Sequence, residues 1–457
     1  MILNRGQLIE NGLDRPAARA RRLLVGALEF TLASVDPHRL ISQLVRRRGE
    51  KLFVDREVTR LDHYGSICVA GAGKASGAMV GALEQILGDR LQGGLVVIPS
   101  GQEPPRLGRV RSVVAPHPTP DESSVRAARE LVDMVRELGD QNLLICPISG
   151  GGSALLSLPV QPLTIADKGR VAQLLMNAGA TIVELNTVRK HLSAVKGGWL
   201  AKHSSAGRIL GLLVSDVVGD RLDTIASGPI SPDSTSFSDA IGILKKFNVW
   251  DSIPSTAADI LRKGAQGGIP ETPKAGDACF QKVSCHILGN NRTACVSAQR
   301  YLRSKGINTK ILSSSVTGEA RHLGSLVGSL AREIATLDEP LRKPCAFVIG
   351  GETTVTVTGP GRGGRNQECM MTCAREIRNL RGVAVASIGT DGIDGTTDAA
   401  GAVVDGMTLS RSESLGLELD ELLARNNSYS FFEPLKDLVM TGRTNTNVND
   451  VTIAVLL

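Results

Sequence analysis

Leu143-Leu144-Ile145-Cys146-Pro147-Ile148-Ser149-Gly150-Gly151-Gly152-Ser153-Ala154-Leu155-Leu156 is the stretch from which the fold can be read. Its apolar run, Leu143 to Ile148, is short and bounded, as a strand buried on both faces of a parallel sheet is. Three glycines follow, and an apolar helical pattern begins at Ser153. The order is strand, glycine loop, helix. Without Cβ atoms, Gly150, Gly151 and Gly152 let a ligand approach the backbone, and the N–H groups at the next helix start would face an anion. Taken alone, the loop reads equally well as a tight turn with no ligand.

Working outward, the same alternation recurs. A strand at 66–70 runs into Gly71-Ala72-Gly73-Lys74-Ala75-Ser76-Gly77 and a helix to Leu87. Further strands are predicted at 94–99, 110–115 and 209–215, with helices over 123–138, 164–178 and 187–203. This alternation predicts an α/β fold whose N-terminal domain is a Rossmann-like, mostly parallel sheet with helices on both faces. Two helices precede it, at 17–33 and from Asp36-Pro37 to Arg48. Between Lys263 and Gly276 the chain turns rich in Gly, Pro and Ala and loses periodicity, which predicts domains over 1–270 and 280–457. The second is expected to be an α/β domain with a mixed sheet. Its strands are predicted at 283–288, 307–312, 345–349, 353–358, 383–388 and 451–456, and its helices up to 304, over 318–337, from Asn366 and over 407–439.

At 457 residues the chain exceeds what one hydrophobic core serves, so two domains are the natural expectation. Aromatic residues make up only 3%, which argues against base-stacking platforms, and a net charge of +6 is slight for this length. Arg46, Arg47 and Arg48 read as a solvated helix end, so no nucleic-acid partner is expected. The eight cysteines contain no Cys-x-x-Cys pair and read as reduced core residues. No uncharged apolar run reaches membrane-spanning length and no secretory pattern opens the chain, so a cytoplasmic protein without membrane contact is expected.

Lys74 is the first informative oddity. A cation at a helix start opposes the helix's positive end unless an anion lies between them. Arg365, in Gly361-Arg362-Gly363-Gly364-Arg365-Asn366-Gln367-Glu368, repeats the pattern, and Arg292, after Gly289-Asn290-Asn291, is a third instance. Together they suggest a polyanionic ligand, for which a nucleoside triphosphate is the common candidate. The Lys74 loop is not a dinucleotide fingerprint: its third glycine is displaced to Gly77, and the next strand ends in Pro99-Ser100 without an acid for a ribose. Nor is it a Walker A loop, since Cys68 stands at the first glycine position and Ala75 follows the lysine. Acidic residues cluster behind two strands: Asp216, Asp220 and Asp223, then Asp391, Asp394 and Asp398. Such positions suit Mg²⁺ or a catalytic base, and they equally suit turns and caps. Asn186, Arg189, Lys190 and Lys196 precede or lie on the helix expected over 187–203. Arg189 and Lys196, seven apart, would share a face and reach one carboxylate or phosphate. His117, in Pro116-His117-Pro118-Thr119-Pro120, reads as structural.

Together these motifs resemble the class II glycerate kinases, which carry a MOFRL-type C-terminal domain. The matching segments are Gly71–Ser76, Ile148–Leu156, Leu185–Ser193, Ser215–Asp220 through Ala226–Pro229, Gly350–Val355, Gly361–Glu368, Gly389–Gly401 and Thr446–Asp450. One departure is Arg443 and Asn445, where Pro and Gly are expected. The resemblance implies ATP-dependent phosphorylation of D-glycerate to 2-phosphoglycerate with Mg²⁺, in a cleft between two α/β domains. It carries the family's catalytic lysine and arginine onto Lys74 and Arg365. Asp216 is the candidate general base or Mg²⁺ ligand, with Glu352 or Asp391 as the second metal candidate. Gly71, Gly73, Ser149, Gly150, Gly151, Gly152, Ser153, Asn186, Arg189, Lys196, Asn290, Glu352 and Asn366 make up the expected substrate- and nucleotide-binding set. The partners expected are D-glycerate and ATP, with a second copy of the chain as the one protein partner considered. Two rivals stand beside this reading: an NAD(P)H-dependent hydroxypyruvate reductase, a label some family members have carried, and a non-catalytic nucleotide or organic-acid binding protein.

Overall fold

The computed structural model describes residues 2–457. Its contacts divide the chain into Pro37–Leu288 and a second unit, in which the segment up to Asp36 joins Gly289–Leu457.

The Pro37–Leu288 unit is built on six strands, β1 (Ser66–Ala72), β2 (Leu91–Pro99), β3 (Val110–Ala115), β4 (Asn142–Ser149), β5 (Arg208–Val214) and β6 (Val283–Gly289). Their spatial order is β3-β2-β1-β4-β5-β6, with β1–β2, β1–β4, β2–β3 and β4–β5 parallel. Strand order therefore reverses between β1 and β4, and doubly wound sheets bind ligands at such a switch point. Apolar β4 sits at the centre, with Leu144 and Cys146 wholly buried. The helices that matter for the site are α1 (Ser76–Leu87), the single turn α2 (Gly152–Leu155), α3 (Ile165–Asn177) and α4 (Ile182–His191). Both α3 and α4 start with capping boxes, Thr164 with Asp167 and Thr181 with Glu184. Their apolar faces pack Val171, Leu175, Leu185 and Val188 into a helical core with Phe237 and Leu261.

The second unit carries β7 (Asn308–Val316), β8 (Cys345–Gly351), β9 (Val383–Gly389), β10 (Gly401–Asp405), β11 (Leu438–Val439) and β12 (Asp450–Leu456), in the order β7-β8-β12-β9-β10-β11. Only β7–β8 is parallel, so the sheet is mixed, as expected. Its helices include α5 (Asn291–Ser304), α6 (Ala320–Leu337) and α7 (Arg365–Glu376). The opening helix Arg15–Ser34, capped by Asp14, packs on α5 and β9. Its buried Arg21 bonds Asp405 at 2.6 Å and Asp437 at 2.7 Å.

Four local expectations need correction. The helix after Pro37 stops at Leu44, and Arg46, Arg47 and Arg48 lie on a strand, Val45–Arg48. That strand pairs antiparallel with Lys51–Val54, itself paired with Glu57–Arg60, and burial of Val45, Leu52, Val54 and Thr59 shows the period of two. The helix expected over 187–203 is broken: α4 ends at His191 and Trp199–His203 restarts after Gly197 and Gly198, at φ +56° and +86°. Residues 353–358 form no strand, because their N–H groups go elsewhere: Thr354 to Gly318 O (2.8 Å), Thr356 to Glu319 (3.2 Å) and Thr358 to the Asn426 side chain (2.7 Å). The strand expected to open the second domain, β6, is instead the last strand of the first sheet. Among the described residues no helix is long and apolar enough to cross a membrane.

Candidate functional site

The loops after β1 and β4 interlock at the switch point. Lys74 N–H donates to Gly150 O at 2.8 Å, and Ala75 N–H to Ser149 Oγ at 2.9 Å. Asp216, just past β5, lies so close to Gly150 that any Cβ there would run into its carboxylate. Gly151 is left-handed, at φ +84°, and a Cβ on it would sit 3.2 Å from the His117 ring and 3.3 Å from Lys74 Cγ. Gly71, Gly73, Lys74, Ser149 to Ser153 and Asp216 are thus brought together. His117, read as structural, lines the same loop. The helix after the glycines is a single turn, too short for the dipole effect expected of it. Ser153 and Ser227 share a hydroxyl–hydroxyl bond of 2.7 Å, and Ser227 Oγ donates to Asn186 Oδ1 at 3.0 Å.

A group of cations stands beside this loop. Lys196 Nζ, buried, donates to Ser153 O (2.6 Å) and Leu156 O (2.8 Å). Arg189, on α4, makes no ion pair or hydrogen bond among the described residues. Burial lowers the proton affinity of both, and for Lys196 the charges of Lys168 and Arg189 lower it further. The seven-residue spacing, expected to act along one helix, does not do so, because that helix ends at His191; the turn after it returns Lys196 to the glycine loop. Lys168, on α3, belongs with them and was not anticipated. It is 5% exposed, its Nζ has no partner, and burial with the neighbouring Arg189 brings its pKa down to about 7. The sequence signal was its position on the stripe of Val171, Ala172 and Leu175, at i+3, i+4 and i+7, where an apolar residue belongs. Lys190 behaves differently, meeting Asp223 at 3.2 Å and Asp233 at 3.3 Å, which gives Asp223 a structural task.

In the second unit, Arg365 begins α7 among carboxylates. Asp450 takes it in a two-pronged pair, Nε at 2.6 Å and Nη2 at 3.0 Å, and Glu352 meets Nη1 at 3.0 Å. Burial works against its charge, but Asp450, Glu352 and Asp394 outweigh it and raise the pKa. The anion that the dipole argument called for at this helix start is the protein's own Asp394, which accepts from Asn366 N–H (3.0 Å) and Gln367 N–H (2.9 Å). Burial pushes the Asp394 carboxyl up to about 6 despite those bonds, and it raises Asp450 as well. Asn366 is fully engaged: Nδ2 donates to Asp394 and Asp450, both at 3.1 Å, and Oδ1 accepts from Ser387 at 2.7 Å. Asn290, expected in the binding set, caps α5 by accepting from Thr293 N–H at 2.9 Å. Asp391 closes its own turn onto Ile393 N–H at 3.2 Å.

Among the described residues no three His, Cys, Asp or Glu side chains gather as an all-protein metal cage. Mg²⁺ ordinarily needs only one or two carboxylates plus phosphate oxygens and water. The Asp216 carboxylate against the glycine loop suits that donor set.

Fold and site define a doubly wound α/β protein with two interlocked glycine-rich loops and a carboxylate at its switch point. Comparison with known proteins carries this further. Residues 23–262 match a family described as a domain of unknown function, DUF4147, and residues 345–450 match the MOFRL family. A D-glycerate 2-kinase of Thermotoga maritima is 36% identical over 92% of this chain and 98% of its own. A protein of Agrobacterium vitis carrying a hydroxypyruvate reductase name is 39% identical over 85% of this chain and 98% of its own. The crystal structure of a Thermotoga maritima glycerate kinase superposes with a TM-score of 0.83 at 34% identity, covering 95% of this chain and 99% of that one. The chain belongs to the class II glycerate kinase family, the family of DUF4147 plus MOFRL domains.

Proposed function

We propose that this chain transfers the γ-phosphoryl group of ATP to the 2-hydroxyl of D-glycerate, giving 2-phosphoglycerate and ADP. The observation that carries the proposal is the lock between the Lys74 loop and the glycine loop at the switch point, which seats Lys74 against Gly150 and Gly151 with the Asp216 carboxylate on the same loop. Phosphoryl transfer asks mainly for positioning and charge neutralisation. Lys74 supplies charge to the phosphates. Arg365, in the other unit, is the second cation that the family resemblance names, its plane fixed by the two-pronged bond to Asp450 and its Nη1 held by Glu352. Mg²⁺ would be held by Asp216, with Asp391 as the other candidate, and would supply positive charge that offsets the phosphates.

The oxygen–phosphorus bond to the 2-hydroxyl forms as the bond between the γ-phosphorus and the bridging oxygen breaks, and the hydroxyl proton leaves for a base. Asp216 is the carboxylate at hand. Asp216→Asn separates its two roles: a raised Mg²⁺ requirement at an unchanged pH profile marks a ligand, and loss of the acidic limb marks a base.

The second reading, hydride transfer to hydroxypyruvate, is favoured only by the names of two relatives. Here β2 ends at Pro99-Ser100 without an acidic residue for a ribose. One assay separates the readings: the protein with D-glycerate and MgATP, or with hydroxypyruvate and NADH, following ADP and NADH. ADP formation in the first arm supports the proposal. NADH loss in the second without ADP in the first overturns it.

A further inference from the structure

Three cations, Lys168, Arg189 and Lys196, come together in the Pro37–Leu288 unit without a carboxylate among them. Cations removed from water are ordinarily paired, because an unpaired buried charge costs several kcal/mol or is neutralised by a pKa shift. Elsewhere in the same unit that rule holds: Lys190, next to Arg189 in sequence, has Asp223 and Asp233. The group of three breaks it. Lys196 has two of its three donors on carbonyl oxygens. The Lys168 ammonium is buried with no partner at all, and its pKa is pulled to about 7. Arg189 keeps its whole fork unused, and it is the member of the group that solvent still reaches.

The surroundings narrow the kind of anion. Asn186 lies three residues before Arg189, one turn back on the same face of α4. From Asn186 a hydrogen-bonded path runs through Ser227 Oγ to Ser153 Oγ in the glycine loop, at 3.0 and 2.7 Å. Cations for an oxyanion and a row of hydroxyl and amide groups for hydroxyls are together complementary to a small hydroxy-carboxylate. Nothing in this set offers the flat apolar wall that a nucleobase needs.

We propose that Lys168, Arg189 and Lys196 are the seat of the acceptor's carboxylate, and that Asn186, Ser153 and Ser227 align its hydroxyl groups. The assignment rests on the kinase reading given above and adds to it a specificity rule. The carboxylate is a required part of the acceptor, so glycerol, which has the same carbon chain without it, is not recognised.

The test uses the full chain as wild type, Lys168→Met and Arg189→Gln. In steady-state kinetics with MgATP, each variant is expected to raise KM for D-glycerate by about 30-fold or more while KM for ATP moves less than about threefold. In parallel, calorimetric titration without turnover follows D-glycerate, glycerol and ADP binding. Wild type is expected to bind D-glycerate and not glycerol, and Lys168→Met to lose D-glycerate while keeping ADP. Unchanged KM and binding for D-glycerate in both variants overturns the seat, as does a loss confined to ADP, which would make the group a nucleotide-phosphate site. A wild type that binds D-glycerate through Lys168 but releases no ADP sinks the kinase reading and leaves the seat standing. Because Met replaces an unpartnered ammonium with an apolar chain of similar length, Lys168→Met is expected to stay folded, and a melting temperature no lower than wild type's checks it.

Discussion

Arg365 in one unit lies against Asp450, Glu352 and Asp394, whereas Lys168, Arg189 and Lys196 in the other meet carbonyl oxygens or nothing. Both regions bury positive charge, and they solve its cost in opposite ways. Asp450 grips one edge of Arg365 with two bonds, so its charge is stabilised and its orientation set before any ligand arrives. The three-cation group is left electrostatically incomplete, with proton affinities pulled down. A cation paired by the protein can be aimed at a transient charge; a group left unpaired gains its partner only from a bound anion.

The comparison breaks first at the chemistry. Lys74→Ala and Arg365→Ala should each lower kcat by about a thousandfold or more, by analogy with the charge clamps of other phosphoryl-transfer enzymes, read as ADP release at saturating substrates. Near-normal turnover in both would remove the clamp. Next in size is a contrast within α4 and its neighbour. Lys190→Met strands the buried Asp233 and should destabilise the fold by about 3–5 kcal/mol, whereas Lys168→Met, which strands nothing, should stabilise the ligand-free protein by about 1–3 kcal/mol at pH 7. Denaturant midpoints check both signs, and a loss at Lys168 would mean that its charge is paired after all.

That gain should depend on pH. The folded Lys168 amine titrates at about 7 against an ordinary lysine value of 10.5, so between those values the unfolded chain holds the proton and the folded chain does not. Wild type therefore gains stability as pH rises through this window, while the methionine variant has nothing to gain. The melting-temperature advantage of Lys168→Met should be full below about pH 7 and smaller at pH 9. The smallest effect belongs to Glu352, whose pair with Arg365 is partly exposed: Glu352→Gln should shift stability by less than about 1 kcal/mol.

What the sequence made legible follows from where each cause lies. Buried strands followed by glycine loops are local patterns, and the α/β class, the two sheets and the loops of Lys74, Ser149–Ser153 and Arg365 were all readable from them. Sheet membership is decided by pairing with distant residues, which is why β6 looked like the start of a new domain. The strand at Arg46–Arg48 was hidden because four residues are too few to reveal a period of two. Asp450 stands 85 residues from Arg365, and nothing local marks it as the grip on that side chain. Lys168 was visible in principle, as a lysine on an apolar stripe, but a single charge on an amphipathic helix reads as its solvent edge until burial is known.

The central claim, that the chain phosphorylates D-glycerate at its 2-hydroxyl, is tested most directly by phosphorus NMR of the product formed from D-glycerate and MgATP. A phosphomonoester signal split into a doublet by the single proton on carbon 2, growing in step with ADP, is the predicted result. A triplet, from phosphate on carbon 3, or no phosphomonoester at all, would contradict it.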